Sequence, residues 1–364
     1  MSRLPAPVEQ EDGADSVLDG PVIADKGDVF GANAKTLRLD VHHLFLVRNM
    51  ISSNILYCDR SCCTATPKGR DLKIGATVAL GRLSGQPSLL AELGRGLEDR
   101  GFESVWLPEH VVLFEHYESA YPFTSDGQVK IPSDTGLLDP FVALTFLAAR
   151  TSTLRLGTSV CIVPQRNPLY TAKQVADLDV LSQGRVEFGV GLGWSREEYE
   201  ALQIPWSQRG ARMIEHLEVM KTLWTEDISS HQGPHYTLPA CRMYPKPVQT
   251  PHPPIHVGGN SAAALRRAVE HGQGWYGMNR SPEELPAALS DIRRALDAKG
   301  RERTDFTVTF GPPIGRVNRE MIDAYANLGV DRLTIAMVAG SRDGLLRALD
   351  YAAVEMADYA EPTK

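Results

Sequence analysis

The sequence predicts an α/β fold, a TIM (β/α)8 barrel with insertions after strands 2 and 4. Two observations carry this prediction. Short, mostly apolar runs alternate eight times with segments of helical periodicity between residues 72 and 360. In addition, residues 154–194 form a complete β-α-β unit, and its two strands have to lie parallel because a helix joins them.

The strands are recognised as short apolar runs that suit burial on both faces of a sheet. In the β-α-β unit the first strand begins at Leu154, and the second spans residues 186–190. The eight predicted strands are residues 73–80, 103–107, 154–161, 186–190, 255–257, 274–276, 306–310 and 332–337.

Between the strands, apolar residues recur every three or four positions, which is the spacing of a helix face. The helix of the β-α-β unit begins at Pro168 and ends before Gly184, as proline and glycine preferences dictate. The predicted helices are residues 88–100, 140–150, 168–181, 196–202, 208–225, 262–271, 282–298, 319–328 and 343–356. The long stretches 111–139 and 226–254 are the two insertions, and the second is predicted to be a lid or a hairpin.

An open, doubly wound sheet is the alternative fold. It would need a dinucleotide fingerprint, but Trp194 stands where the third glycine of that motif should fall. We therefore predict that residues 72–360 form the barrel. Residues 1–71 show no sustained period, and we predict a poorly ordered N-terminal extension or a start site assigned too early.

Composition bears on partners and location. A net charge of −7 and a pI near 5.8 argue against nucleic acid as a partner. No apolar run reaches the roughly 20 residues that span a bilayer, and the N-terminus lacks a signal-peptide pattern. The chain has 5 cysteines, an odd number that indicates reduced thiols. We therefore expect a cytoplasmic protein with no membrane partner.

No metal site is predicted. Cys58, Cys62 and Cys63 form a cluster without a second pair of ligands. Histidine pairs at four-residue spacing, 231 with 235 and 252 with 256, are interrupted by glycine or proline and share no helix face. No nucleophile elbow or phosphate-binding Walker loop is present, which disfavours a hydrolase.

In a barrel, chemistry is located where strands end. Glu109 and His110 follow strand 2, and a histidine there can act as acid or base or hydrogen-bond a cofactor, or else only cap the loop. Ser159 lies at the end of strand 3. The glycines at 189, 191 and 193 follow strand 4, where they let a flat ligand approach the backbone or merely form a tight turn.

The turn Gly258, Gly259, Asn260 and Ser261 joins strand 5 to a helix, and its amides suit a phosphate. The alternative is that Ser261 only caps the helix. Aromatic residues of the two insertions are candidates for a substrate pocket or for rim packing. They are Tyr117, Tyr121, Phe123, Tyr236 and Tyr244.

These features together resemble the luciferase-like flavin monooxygenase superfamily, and within it the branch of oxidoreductases that depend on coenzyme F420. The resemblance extends over roughly residues 72–359 and rests on the order and spacing of four stretches. They are residues 106–110, residues 156–160 with 166–168, residues 178–185 running into 189–194, and residues 243–248 leading to 256–261.

The resemblance implies a homodimer of barrels that bind a flat tricyclic cofactor at the carboxyl ends of the strands. Glu109 and His110 would lie beside the ring. Ser159 and Val160 would be joined by a non-prolyl cis peptide bond against the back of the ring. Gly191, Leu192 and Gly193 would line the cofactor, and Gly258, Gly259, Asn260 and Ser261 would bind its phosphate.

One position departs from the branch. In its sugar-phosphate dehydrogenases a proton-donating glutamate follows the glycine run, whereas this chain has Trp194 there. His110, oriented by Glu109 or Glu197, is then the best acid or base. The function expected is hydride transfer between F420 and a small organic substrate. An FMNH2-dependent monooxygenase, with FMN as cofactor, and a flavin-binding barrel without turnover are the alternatives.

Overall fold

The computed structural model describes residues 72–79, 86–124, 126–129, 131, 133, 135–338 and 341–359. All of them belong to one unit, Ala65–Lys364. The predicted extension, residues 1–71, and the cysteine cluster within it lie outside the described residues.

Eight parallel strands close a barrel, which confirms the predicted fold. Neighbours around the ring are β3, β2, β1, β11, β10, β9, β8 and β5, and a β3–β5 pairing closes it. Each barrel strand lies between its neighbours in parallel register, so all the carboxyl ends meet at one mouth. The barrel strands are β1 Lys73–Val78, β2 Ser104–Leu107, β3 Arg155–Thr158, β5 Val186–Gly191, β8 Ile255–Gly258, β9 Gly274–Met278, β10 Thr307–Gly311 and β11 Arg332–Met337.

Helices surround the barrel and bury their apolar faces against it. α1 shows the pattern, because Leu89, Leu90, Leu93 and Leu97 are all buried, as their spacing predicts. The helices are α1 Pro87–Asp99, α2 Pro140–Ala148, α3 Pro168–Leu181, α4 Arg196–Ala201, α5 Arg209–Thr225, α6 Ala262–His271, α7 Pro286–Ala298, α8 Arg319–Leu328 and α9 Arg342–Glu355. None of the described helices is both long and apolar enough to cross a membrane.

Both predicted insertions are present. The stretch after β2 runs to Asp139, whose carboxylate caps α2. The stretch after α5 is a hairpin, as predicted, in which β6 Ser229–Gln232 pairs antiparallel with β7 Thr237–Cys241.

Two elements differ from the prediction. The helix expected over 282–298 is a 3-10 turn, Pro282–Glu284, followed by α7, because Pro286 has no amide hydrogen and suits only the start of a helix. The third barrel strand ends at Thr158, and β4 Cys161–Ile162 follows as a separate extension paired with β5. The Ser159–Val160 peptide bond between them is cis, as the resemblance predicted.

The barrel interior holds a charged cluster that the sequence did not predict. Arg332 of β11 donates to Glu103 at 2.8 and 2.9 Å and to Glu187 of β5 at 3.1 Å. Glu187 also pairs with Arg155 and lies 2.5 Å from His256 Nε2. Burial opposes ionisation of Glu187, but Arg332, His256 and Arg155 outweigh it, so its pKa lies well below the ordinary value.

Candidate active site

The predicted site residues follow four strands that are neighbours in the barrel, β2, β3, β5 and β8. Val160 shows how closely three of these segments approach. A Cβ added at Gly191 would lie 2.4 Å from Val160 Cγ2, and one added at Gly258 would lie 2.9 Å from Val160 Cγ1. Glycine is therefore required at both positions, because the Val160 side chain fills the space beside them.

Ser159, beside Val160, presents an unsatisfied polar group. Its amide donates to the Leu107 carbonyl at 2.8 Å, which holds the end of β3 against β2. Its hydroxyl is buried and makes no hydrogen bond of good geometry with a described residue, although it lies near the Tyr276 phenol. A buried hydroxyl without a partner is costly, so this atom favours a ligand that hydrogen-bonds to it.

Deeper in the barrel, Tyr276 of β9 contributes a second polar group that the sequence analysis missed. Its hydroxyl lies 3.0 Å from Thr77 Oγ1 and 3.0 Å from Thr334 Oγ1. Burial raises the pKa of Tyr276, so the phenol stays protonated near neutral pH. These three hydroxyls form an uncharged layer across the interior.

His110 is held at both ring nitrogens. Its Nδ1 lies 3.1 Å from Glu198 Oε2, and Trp194 Nε1 donates to its Nε2 at 3.2 Å. A carboxylate accepts and an indole N–H donates, so these partners assign a neutral imidazole that carries its proton on Nδ1. The imidazole is 10% exposed and Glu198 only 1%, so the pair is largely shielded from water.

The prediction that Glu109 or Glu197 orients His110 is wrong. Glu109 accepts from the Ile162 amide and from Arg166 Nε, each at 2.6 Å. Neighbouring residues of an extended segment point to opposite sides, so Glu109 faces the β4 side while His110 faces the mouth.

Glu197 also has another role. It accepts from the amides of Glu118 and Ser119 at 2.7 and 2.8 Å. The next residue along α4, Glu198, is rotated by about 100° around the helix axis and therefore faces His110 instead. Glu197 anchors the loop after β2.

That loop crosses the barrel mouth and carries an aromatic cluster. Tyr117 and Tyr121 pack on Trp194 with ring centroids 5.1 and 4.9 Å apart. On the far side, Asn279 Nδ2 after β9 donates to the Phe123 carbonyl at 3.2 Å. β2 and β9 lie on opposite sides of the ring, so residues 111–124 roof the mouth.

The other two aromatic pocket candidates lie elsewhere. Tyr236 packs against His216 of α5, with ring centroids 5.8 Å apart. Tyr244 is exposed, and its hydroxyl bonds Asp227 near the hairpin. Neither contacts the Trp194 cluster.

The glycine turn after β8 is partly occupied by its own bonds. Ser261 caps α6 by accepting from the Ala264 amide at 3.2 Å, and the Gly259 amide donates to the Tyr276 carbonyl. The first amides of α6 have no acceptor within the helix. Arg280, which the sequence analysis missed, donates to the Asn260 carbonyl at 3.3 Å and adds a positive charge beside this turn.

The sequence and the fold of this chain can be compared with those of known proteins. The family model described as luciferase-like monooxygenase matches residues 72–351. An uncharacterized protein of Mycobacterium tuberculosis, Rv0953c, is 30% identical over 270 residues, which are 73% of this chain and 93% of that protein. The FMNH(2)-dependent dimethylsulfone monooxygenase of Pseudomonas putida is 35% identical over 158 residues, 42% of this chain and 43% of that enzyme.

Solved structures agree in fold. An F420-dependent secondary alcohol dehydrogenase, in complex with an F420-acetone adduct, superposes with a TM-score of 0.65 at 15% identity. That match covers 80% of this chain and 99% of the other. DmoA from Hyphomicrobium sulfonivorans gives a TM-score of 0.65 at 15% identity, covering 81% and 90%. The match over residues 72–351 shows that the chain belongs to the luciferase-like monooxygenase family of oxidoreductases.

Proposed function

We propose that this protein transfers a hydride between coenzyme F420 and a small organic substrate held beneath the 111–124 loop. The observation that carries the proposal is the His110 network, a shielded imidazole with its proton placed by Glu198 and Trp194. An FMNH2-dependent monooxygenase is the second candidate, because the Pseudomonas putida relative carries that description.

The residues at the mouth fit a flat cofactor with an anionic arm. The unsatisfied Ser159 hydroxyl would hydrogen-bond the ring, and Val160, wedged between Gly191 and Gly258, would support one face of it. Leu192 and Gly193 would line the same side. Gly259, Asn260 and Ser261, with the α6 amides and Arg280, would bind the phosphate.

When bound, the deazaflavin supplies a carbon that accepts or donates a hydride. The protein supplies the base that accepts the proton released by the substrate when the hydride leaves it. His110 Nε2 is an acceptor in the tautomer that its partners assign, so it can take a proton from a substrate group that displaces the Trp194 indole. Glu198 stabilises the imidazolium that results. Glu109 acts at a distance, by fixing Ile162 and Arg166 beside the ring site.

Binding and spectroscopy test the choice of cofactor. The protein, expressed in a host that makes both cofactors, is purified and its absorption spectrum recorded, and the apoprotein is titrated with F420 and with FMN. We expect a deazaflavin spectrum and tighter binding of F420. A flavin spectrum with oxygen consumption would support the monooxygenase instead. Tight binding without reduction of any acceptor would support a binding protein.

We also propose that the protein is a homodimer that associates through α2 and α3. α2 is apolar all round, an arrangement that suits a buried helix. Yet Val142 of α2 is 65% exposed, and Tyr170 and Leu181 of α3 are 76% and 64% exposed. Light scattering should give twice the monomer mass for the protein, and Val142→Glu should lower it. A monomer mass for the unmodified protein would refute the dimer.

A further inference from the structure

Two arginines on neighbouring outer helices lie close together without an acidic partner. Arg209 is the first residue of α5, and Arg267 lies in α6. A Cβ added at Gly210 would be 3.6 Å from Arg267 Nη1, which places that guanidinium against the start of α5. The Nε atoms of both arginines are buried and have no hydrogen-bond partner among the described residues, and the charges that act on Arg267 are those of two other arginines, 266 and 209.

The surroundings increase the positive charge instead of neutralising it. The Arg209 guanidinium stacks on Trp206, with its carbon 3.6 Å from the ring centroid, which fixes its plane while its Nε stays without a hydrogen-bond partner. Burial lowers the pKa of Arg267, and the charges of Arg266 and Arg209 lower it further. Like charges held together at partly buried positions are unfavourable unless an anion joins them.

A series of side-chain contacts links Arg209 to the proposed cofactor site. Trp206 packs on Tyr199 with ring centroids 5.1 Å apart, and the Tyr199 hydroxyl donates to the Leu192 carbonyl at 2.6 Å. Arg209 is thereby tied to the glycine turn after β5. Arg267 is six residues along α6 from Ser261, about 9 Å at the rise of an α-helix.

We propose that Arg209 and Arg267 bind the anionic chain of the cofactor, through phosphate or carboxylate oxygens that extend past the α6 N-terminus. This inference rests on the proposed function and identifies further residues for the same site. Each guanidinium offers Nε and Nη in a fork that matches the two oxygens of one such group. The unsatisfied Nε atoms are the donors that the ligand would satisfy.

Three ligands separate the sources of negative charge. Riboflavin has the ring without an anion, FMN adds one phosphate, and F420 has a phosphate and carboxylates. Each is titrated by fluorescence into the protein, Arg209→Ala, Arg267→Ala and the double variant. We expect each single substitution to weaken binding of the anionic ligand by about 10- to 100-fold, the value of a charged hydrogen bond. Riboflavin affinity should not change.

Arg266→Ala is the matched control, because Arg266 is exposed on the same helix beside Arg267. Its affinities should equal those of the unmodified protein. If only F420 loses affinity in the variants, the pair contacts the carboxylates; if FMN loses it equally, the pair contacts the phosphate. Both results support the inference. Unchanged affinities in the double variant for ligands that bind the unmodified protein would overturn it.

A phosphate measurement keeps the inference separate from the proposed function. Thermal unfolding is followed in inorganic phosphate and in chloride at equal ionic strength. We expect phosphate to raise the melting temperature of the unmodified protein and not that of the double variant. If neither cofactor binds but this difference holds, the proposed function fails and the anion site stands. No difference, together with no loss of cofactor affinity, refutes the site.

Discussion

The protein contains two histidine–glutamate pairs that differ in what surrounds them. His256 and Glu187 project from adjacent strands inside the barrel, 2.5 Å apart, with Arg332 and Arg155 completing a charged cluster. His110 and Glu198 come from a loop and a short helix at the mouth, 3.1 Å apart, and the third partner there is an indole. Strands fix the first pair, whereas loop packing positions the second.

This difference separates a pair that stabilises the fold from a pair that can take part in chemistry. In the inner cluster, Arg332 pairs with both carboxylates, Glu103 and Glu187, and the groups are buried inside the barrel. At the mouth, Trp194 is a neutral donor that a ligand can replace, and His110 then becomes accessible. The inner pair should therefore control folding, and the outer pair turnover.

The largest effect is expected from Arg332→Met, which would leave Glu103 and Glu187 buried without their main counter-charge. Removing one partner of a buried ion pair costs about 3–5 kcal/mol. Urea denaturation should show that loss. Arg342→Met, which breaks an exposed pair with Glu92, is the control and should cost less than about 1 kcal/mol. Equal losses would show that the inner cluster has no special role.

His110→Ala should affect turnover rather than folding. Removing a general acid or base lowers the rate by about 10²-fold or more. Single-turnover hydride transfer with bound cofactor measures that rate, and denaturation of the same variant measures its stability. An unchanged rate with weaker cofactor binding would reassign His110 to holding the cofactor.

Glu198→Gln should have a smaller effect on the same step. The amide keeps the shape but removes the charge that orients Nδ1–H, and a charged hydrogen bond is worth about 1.5 kcal/mol or more, roughly tenfold in rate. The pH profile of turnover should shift as well, which a purely structural role would not produce. Glu200→Gln, exposed on the same helix, is the control. Matching profiles for the two variants would contradict a positioning role.

The smallest effect is expected when low pH acts on the 111–124 loop, which Glu197 anchors over the barrel mouth. Burial is the largest single influence and opposes ionisation of Glu197, but the hydrogen bonds from backbone amides and from Ser119 and Ser195 together outweigh it and lower its pKa to about 2. A lowered pKa stabilises the folded loop above the ordinary value of 4.5, and this contribution is lost as pH falls toward 2. Solvent exposure keeps it small.

Trp194 fluorescence reports on this loop because Tyr117 packs on the indole. Between about pH 4.5 and about pH 2 the emission of the unmodified protein should change, because these are the ordinary and the lowered pKa of Glu197. Glu197→Gln should resemble the acid form already at the higher pH. Identical pH responses in both proteins would exclude Glu197 as the cause.

The fold could be predicted from sequence because its signals are local. Apolar period, prolines such as Pro168 and glycines such as Gly184 mark each element without knowledge of its neighbours. The sequence also predicted that His110 and Val160 lie at the same mouth of the barrel, because parallel strands all end on one side. Glu187, a charged residue within a strand buried on both faces, is the local sequence signal that points to the inner cluster.

The features that could not be predicted depend on how one helix or strand is oriented relative to another. Whether Glu197 or Glu198 faces His110 is set by where α4 begins, which sequence periodicity leaves uncertain by a residue or two. The Arg209 and Arg267 site joins segments that are far apart in sequence, through the packing of α5 on α6. Contacts of this kind follow from tertiary packing and leave no local pattern.

The bond from Asn279 to the Phe123 carbonyl, which joins the 111–124 loop to the far side of the mouth, has an evolutionary consequence. One stretch of chain, inserted between β2 and α2, covers the barrel mouth. The proposed cofactor site below it is built from the ends of other strands. Descendants of this gene can change the length and sequence of this covering loop while the strand ends below it keep their sequence. The range of substrates would then diversify first through changes in that insertion.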